Sequence, residues 1–230
     1  MKKCNLFVFR HAETTDNRDN IFSGWRDPDL TEKGMLQAQE VAQQLTREKI
    51  DFAFTSHLKR AKRTLEIVLE KHPAVPVFVD DRLIERCYGT LQGKSKLEAA
   101  AEDPEWFAKI HRGYDFAPPE GESIHMVERR ILPFVEQLKE CFGSHPCNVA
   151  ISCHGNSMRP IRRVFEHLNL EQMLKLENPQ GQALEYALQI HHVHVNQDTK
   201  QQKALDWEGV FVPLYVQLAT DPQNPLKKYY

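Results

Sequence analysis

The chain has 230 residues, 41% of them hydrophobic and 27% charged, which suits one large folded domain and excludes a disordered class. Thirty Lys and Arg face 32 Asp and Glu for a formal net charge of -2, so no basic excess points to nucleic acid or an anionic membrane surface. No stretch approaches the ~18 to 20 apolar residues of a membrane span.

The five cysteines are Cys4, Cys87, Cys141, Cys147 and Cys153. Their odd number and the lack of a C-x-x-C pair predict reduced thiols and a cytoplasmic protein. The start "MKKCNLFVFRHAE" is too short in its apolar run, and too soon charged, for a signal peptide.

In chain order, "NLFVF" is a continuous apolar run and predicts a buried strand. "LTEKGMLQAQEVAQQLTRE" predicts a helix capped by Thr31, with Leu36, Val41, Ala42 and Leu45 on its inner face. "DFAFTS" predicts a second strand. "SHLKRAKRTLEIVLEKH" predicts a helix capped by Ser56, with Leu58, Ala61, Leu65, Val68 and Leu69 as the apolar stripe. "VPVFVDD" predicts a third strand, and "SIHMVERRILPFVEQLKECF" a long amphipathic helix bent at Pro133. "NVAISCHG" predicts a fourth strand running into a helix near "NSMRPIRRVFEHL". "LEYALQIHHVHV" predicts one or two later strands.

Strands alternating with helices imply a three-layer α/β/α sandwich with a mostly parallel sheet. One domain over 1–230 is expected, with a lid-like insert at about 86–122 and a tail at about 217–230.

In open α/β sheets, ligands bind beyond the carboxyl ends of the strands. Three such ends carry chemistry here: Arg10-His11, then Ser56 with Arg60 in the following helix, then His154, Gly155 and Asn156. Converging arginines and helix N-termini favour an anion. A neutral imidazole is a competent nucleophile near neutral pH, and a phosphoryl group of about -1.5 to -2 charges needs a cationic cradle. Together these predict phosphoryl transfer through a histidine, with no metal required. No Walker-type or dinucleotide glycine motif is present. A general acid is needed as well, and Glu85 and Glu13 are the two candidates.

"RHAETTDN", "FSGWRDPDLTEKG", "TSHLKRAKRTL", "RLIERCYGTLQGKSK" and "CHGNSMR", taken together, resemble the histidine phosphatase superfamily, nearest its cofactor-dependent phosphoglycerate mutase branch. That branch reads R-H-G-E-S-x-W-N, F-S/T-G-W, K-R-A-x-R-T-L, E-R-x-Y-G-x-L-x-G-x-x-K and H-G-N-S-L-R. The resemblance runs from about Leu6 to Glu185 and implies a phosphoglycerate mutase-like fold.

It also implies roles. His11 would be the phosphorylated nucleophile, with Arg10, Arg60 and His154 holding the transferring group and Glu85, rather than Glu13, moving the proton. Asn17, Ser23, Gly24, Tyr88, Lys96, Arg112, Gly155 and Asn156 match positions that contact phosphate or the substrate carboxylate. The implied reaction interconverts 3-phosphoglycerate and 2-phosphoglycerate, primed by 2,3-bisphosphoglycerate, with no permanently bound cofactor. The expected partner is a small phosphorylated substrate, not nucleic acid or membrane, and a homodimer is within the family's range.

Four departures stand out. Ala12 replaces a glycine, and "IHRGYD" keeps only Arg112 of two arginines. "APPEGES" closes what is a long segment in the mutases, and the tail after His191 differs. A shortened lid leans toward a phosphatase, in which water takes the phosphoryl group. Tyr88, Lys96 and Asn156 lean toward a mutase, which is the expected activity. Hydrolysis of small phosphomonoesters is the alternative, and an inactive binding protein is a third reading. "IHHVHV" places His192 and His194 at a zinc-compatible spacing, but nothing clearly completes a set, so a solvated strand is expected.

Overall fold

The computed structural model describes residues 3–189. Five strands form one sheet: β1 (Lys3–Arg10), β2 (Phe52–Thr55), β3 (Val77–Val79), β4 (Val149–Cys153) and β5 (Ala183–Gln189). Their order is β3-β2-β4-β1-β5, parallel except for β5, which runs antiparallel to β1. Eight α-helices accompany them among the described residues: α1 (Thr15–Arg18), α2 (Glu32–Leu45), α3 (Lys59–Val68), α4 (Lys96–Glu102), α5 (Pro104–Arg112), α6 (Ile124–Ser144), α7 (Gly155–Phe165) and α8 (Leu170–Lys175).

Side chains alternate across a strand, so β1 feeds both faces of the sheet. Cys4, Leu6 and Val8 join one core with Val127, Ile131 and Val135 of α6 and Met158 and Ile161 of α7. Phe7 and Phe9 join the other with Val41 and Leu45 of α2 and Leu65 and Val68 of α3. This two-sided burial is why "NLFVF" is apolar throughout, and it yields the expected three-layer sandwich. At the sheet edge, Val77, Phe78 and Val79 are about half exposed.

Two local expectations change. The inner face of α2 is Gly34, Ala38, Val41 and Leu45, while Leu36 is 61% exposed. Gly34 sets that rotation, because a Cβ there would lie 2.1 Å from the Glu13 carbonyl oxygen. Helix α3 starts after Leu58 with no side-chain cap, so Ser56 is not its capping residue. Thr31 does cap α2, accepting from the Gly34 N–H at 3.0 Å.

The segment between Glu85 and α6 folds as two short helices around a third core of Phe22, Tyr88, Leu91, Ala100, Phe107 and Ile110. Arg86 is fully buried and fastens it, donating to the carbonyls of Glu122 (2.6 Å), Ile110 (2.8 Å) and Phe116 (2.9 Å). The insert is therefore a packed wall beside the strand ends. The expected tail and His191, His192 and His194 lie outside the described residues.

Candidate active site

Sheet register builds the centre of the site. Arg10 lies opposite Cys153, and Thr55 opposite Ser152. One residue further on, His11 meets His154 and Ser56 comes alongside. The two imidazoles sit with ring centroids 5.1 Å apart, and both are buried.

His11 is held in one tautomer. Its Nδ1 donates to the Ala12 carbonyl at 2.8 Å, and its Nε2 accepts from Arg60 Nε at 3.3 Å. A carbonyl can only accept and a guanidinium can only donate. The Nε2 lone pair is thus directed at the cationic side of the site. Burial, then the charges of Arg60 and Arg10, push the His11 pKa well below its ordinary value, which keeps the ring neutral.

Arg60 is 1% exposed and does more than face His11. It donates to the carbonyls of Arg26 (2.7 Å) and Gly24 (2.8 Å), so it clamps the loop after Phe22. Gly24 adopts φ +51°, a conformation that suits glycine and turns its carbonyl toward Arg60. Burial lowers the Arg60 pKa to about 10, so the group stays cationic at neutral pH. Arg63, one turn further along α3, is half exposed and pairs with Glu66 instead.

Arg10 donates to the Asn178 carbonyl at 3.2 Å, while its buried Nε has no partner among the described residues. The same holds for Nδ1 of His154, whose Nε2 meets Ser56 Oγ at 2.7 Å. Ser56 Oγ also accepts, at 3.4 Å, from the Leu58 N–H, and among the hydrogen bonds of the described residues the acceptor for its hydroxyl proton is His154 Nε2. That arrangement puts the imidazole proton on Nδ1. Two buried donors without partners beside the His11 lone pair are a socket for anionic oxygens.

Glu85 completes the centre. Its Oε1 accepts from the N–H groups of Arg86 (2.8 Å) and Asn156 (3.2 Å). Its carbonyl accepts from the Trp25 indole at 2.7 Å and from Arg130 at 3.1 Å. Glu13 is committed elsewhere, to Thr31 at 2.9 Å and Lys33 at 2.9 Å. The geometry therefore favours Glu85 over Glu13 as the proton carrier. Gly155 lies against both Arg10 and Glu85: a Cβ there would stand 3.6 Å from Arg10 Nε and 3.8 Å from Glu85 Oε2. His11, Glu85 and His154 also bring one donor atom each within 4.8 Å, close enough for a metal ion. The adjacent Arg10 and Arg60 make that space more favourable to an anion than to a cation.

The remaining predicted residues form two groups. Asn156 Nδ2 donates to Tyr88 OH at 3.2 Å, tying the helix α7 terminus to the insert wall. Ser23 is buried beside Gly24. Lys96 opens α4, where a cation opposes the helix dipole. Its ammonium lies over the Phe22 ring at 5.8 Å, and burial, then Arg10, lower its pKa to about 8.

Asn17 and Arg112 are already engaged. Asn17 Oδ1 accepts from the Thr14 N–H at 3.2 Å and from Gln180 at 2.9 Å. Arg112 donates to the carbonyls of Leu174 (2.9 Å) and Leu176 (3.3 Å) and pairs with Glu177 at 2.6 Å. Ala12, where glycine is usual, has no positive φ, and its Cβ packs with Ala38 and Ile67.

Sequence reasoning placed Ser56 at a strand end but gave it a cap role, and it missed two further contributors. Ser56 supports His154 instead of a helix. Arg159, buried one turn after Gly155, donates to the carbonyls of Met173 (2.9 Å) and Leu174 (2.8 Å). The segment 176–182 touches Arg10, Asn17, Gly155 and Arg112. Arg159 stood in the quoted "CHGNSMR" motif, whereas the segment carried no signal.

The Histidine phosphatase superfamily (branch 1) profile matches residues 6–197. The chain belongs to this superfamily and is one of its enzymes. It is 40% identical over 189 residues to a 2,3-bisphosphoglycerate-dependent phosphoglycerate mutase of Nitrobacter hamburgensis, covering 80% of this chain and 91% of that protein. It is 37% identical over 193 residues to a phosphoglycerate mutase of Schizosaccharomyces pombe, covering 80% and 90%. Among solved structures, the α-ribazole phosphatase of Shigella flexneri matches with a TM-score of 0.70 at 26% identity, covering 81% of this chain and 91% of that one. No helix among the described residues is long and apolar enough to cross a membrane.

Proposed function

We propose that this enzyme is a phosphoglycerate mutase, interconverting 3-phosphoglycerate and 2-phosphoglycerate through a phosphohistidine on His11. The observation that carries this reading is a supply of cations beyond Arg10 and Arg60: Lys96, whose pKa burial and then Arg10 lower to about 8, and Arg112 and Arg159, whose charges act on each other. A substrate with a phosphate at one end and a carboxylate at the other needs cations beyond those that hold the phosphoryl group. The relatives named as mutases support the same reading.

In this scheme the phosphoryl group already on His11 passes to the free hydroxyl of 3-phosphoglycerate: that oxygen attacks phosphorus, the bond to His11 Nε2 breaks, and Glu85 takes the hydroxyl proton. Arg10, Arg60 and the Nδ1 proton of His154 meet the charge on the equatorial oxygens. In the return step the freed His11 Nε2 attacks the other phosphoryl group of the bisphosphate so formed, the bond to its ester oxygen breaks, and Glu85 protonates that oxygen. 2,3-Bisphosphoglycerate would supply the first phosphoryl group to His11, and the cations beyond Arg10 and Arg60 suit a ligand charged at both ends.

One observation favours a second reading, a phosphatase. Arg112 is already neutralised by Glu177 at 2.6 Å. Solved structures of similar fold include a phosphatase. Incubation with 3-phosphoglycerate, with and without catalytic 2,3-bisphosphoglycerate, separates the two. The mutase reading expects 2-phosphoglycerate to exceed free phosphate and to depend on the primer. Phosphate release without 2-phosphoglycerate overturns it.

A further inference from the structure

Glu177 stands where three guanidinium groups feel one carboxylate. It pairs with Arg112 at 2.6 Å, and its charge acts on Arg10 and Arg159. Arg112 has 16% of its side chain exposed, Glu177 43%. The carboxylate is therefore partly open to solvent while paired with Arg112 and close enough to Arg10 and Arg159 to act on them.

The backbone beneath it is fixed. The Glu177 carbonyl accepts from Arg162 at 2.8 Å, and Asn178 Oδ1 accepts from the same guanidinium at 2.9 Å. Asn178 Nδ2 donates to the Gly155 carbonyl at 2.7 Å, and Gln180 donates to Asn17 at 2.9 Å. The Glu177 side chain can thus turn into solvent without disturbing the strand ends. A partly exposed carboxylate loses little on release, because water replaces the guanidinium.

We propose that Glu177 is an internal counter-anion that sets substrate specificity: it holds Arg112 until the second anionic group of a two-ended phosphate ester displaces it. The exchange is one carboxylate for another, so the charge around Arg112 and Arg159 is unchanged on binding. Glu177 lowers the affinity for two-ended substrates more than for phosphate alone, because it pairs directly with Arg112 and reaches Arg10 only through its charge. This rests on the two-ended substrate of the proposed reaction.

The test is calorimetric titration of wild type, Glu177→Gln, Arg112→Gln and the double variant with 3-phosphoglycerate and with inorganic phosphate. Glu177→Gln is expected to bind 3-phosphoglycerate about tenfold more tightly, with phosphate affinity within about twofold of wild type. Arg112→Gln is expected to weaken 3-phosphoglycerate, and adding Glu177→Gln to it to restore much less than tenfold, because the two residues act on each other. A purely structural Glu177 would shift both ligands alike, and that result overturns the proposal. So does weaker 3-phosphoglycerate binding in Glu177→Gln. A wild type with no mutase turnover but with the selective binding shift supports the counter-anion role while defeating the proposed reaction.

Discussion

Ser56 Oγ lies 2.7 Å from Nε2 of His154, and both residues are fully buried. The contact holds the imidazole so that Nδ1 carries its proton, beside the His11 lone pair. Ser56→Ala leaves a buried nitrogen without its hydrogen bond, at a cost of about 1–3 kcal/mol where it bears on the transition state. We expect kcat to fall by about tenfold or more with KM little changed, and Ser56→Thr to recover much of the loss. Steady-state kinetics on the two variants decide it; equal activity in wild type and Ser56→Ala removes the positioning role.

His11 is the only histidine at the centre whose outward nitrogen must be a lone pair, given its bonds to Ala12 and Arg60. His11→Ala is expected to abolish both mutase and phosphatase turnover and to leave no acid-labile phosphate on the protein. Glu85→Gln keeps the shape of the carboxyl but cannot carry the proton. It should slow turnover by about 10²–10⁴-fold while phosphate still binds. Rapid-quench labelling and phosphate titration check both. Persistent labelling in His11→Ala would falsify the nucleophile assignment.

The centre was legible because its residues sit at strand ends, where side-chain type is informative. Arg10, His11, Arg60, Glu85 and His154 are brought together by a sheet register that the apolar runs imply but do not state. Ser56 was misread because a serine shortly before a helix looks like a cap. Its true partner is 98 residues away, across the β2–β4 pair. Leu36 was misplaced because its spacing fits a stripe. The actual rotation of α2 follows from backbone contact at Gly34, which periodicity cannot show. Segment 176–182 was silent for a related reason. Several of its bonds run through the carbonyls of Glu177 and Asn178, which any residue would supply.

That backbone contact makes Gly34 a stability determinant. A methyl at this position would overlap the Glu13 carbonyl, 2.1 Å from the added carbon. Helix propensity alone would favour alanine by about 1 kcal/mol. The steric term wins: Gly34→Ala should destabilise by about 1–3 kcal/mol. Chemical denaturation measures it, and a stabilised variant would show that the β1–α1 loop yields freely. The same shift would move His11, so a fall in kcat should accompany the loss.

Acid should weaken the fold through the same histidines that serve the site. His11 and His154 both have pKa values pushed well below 6.5, first by burial and then by Arg60. Between those depressed values and 6.5, the unfolded chain binds protons that the folded chain refuses. Stability is therefore unaffected by these groups above about pH 6.5 and declines below it, by up to about 1.4 kcal/mol per pH unit for each. Calorimetric Tm values at about pH 7.5 and about pH 5 should show the decline. His11→Gln should flatten part of it. Inorganic phosphate should oppose it, because a bound anion favours the protonated rings. An acid slope unchanged in His11→Gln excludes this origin.

Lys96 gives the pH dependence on the alkaline side. Its pKa of about 8 means that the ammonium is charged below that pH and neutral above it. Attraction for a substrate carboxylate is therefore present at pH 7 and lost as pH rises through 8. A bound anion favours the charged form, so the loss appears in kcat/KM, which reports the free enzyme, at lower pH than in kcat, and KM rises between the two. KM for 3-phosphoglycerate should climb above about pH 8, while the affinity for inorganic phosphate, which has no second end, changes less. Lys96→Arg keeps its charge throughout this range and should move the rise in KM upward. Lys96→Ala should raise KM even at pH 7 and remove the pH dependence. Identical pH profiles in wild type and Lys96→Ala would place the second anion elsewhere, with Arg159 the remaining buried cation near that end of the site.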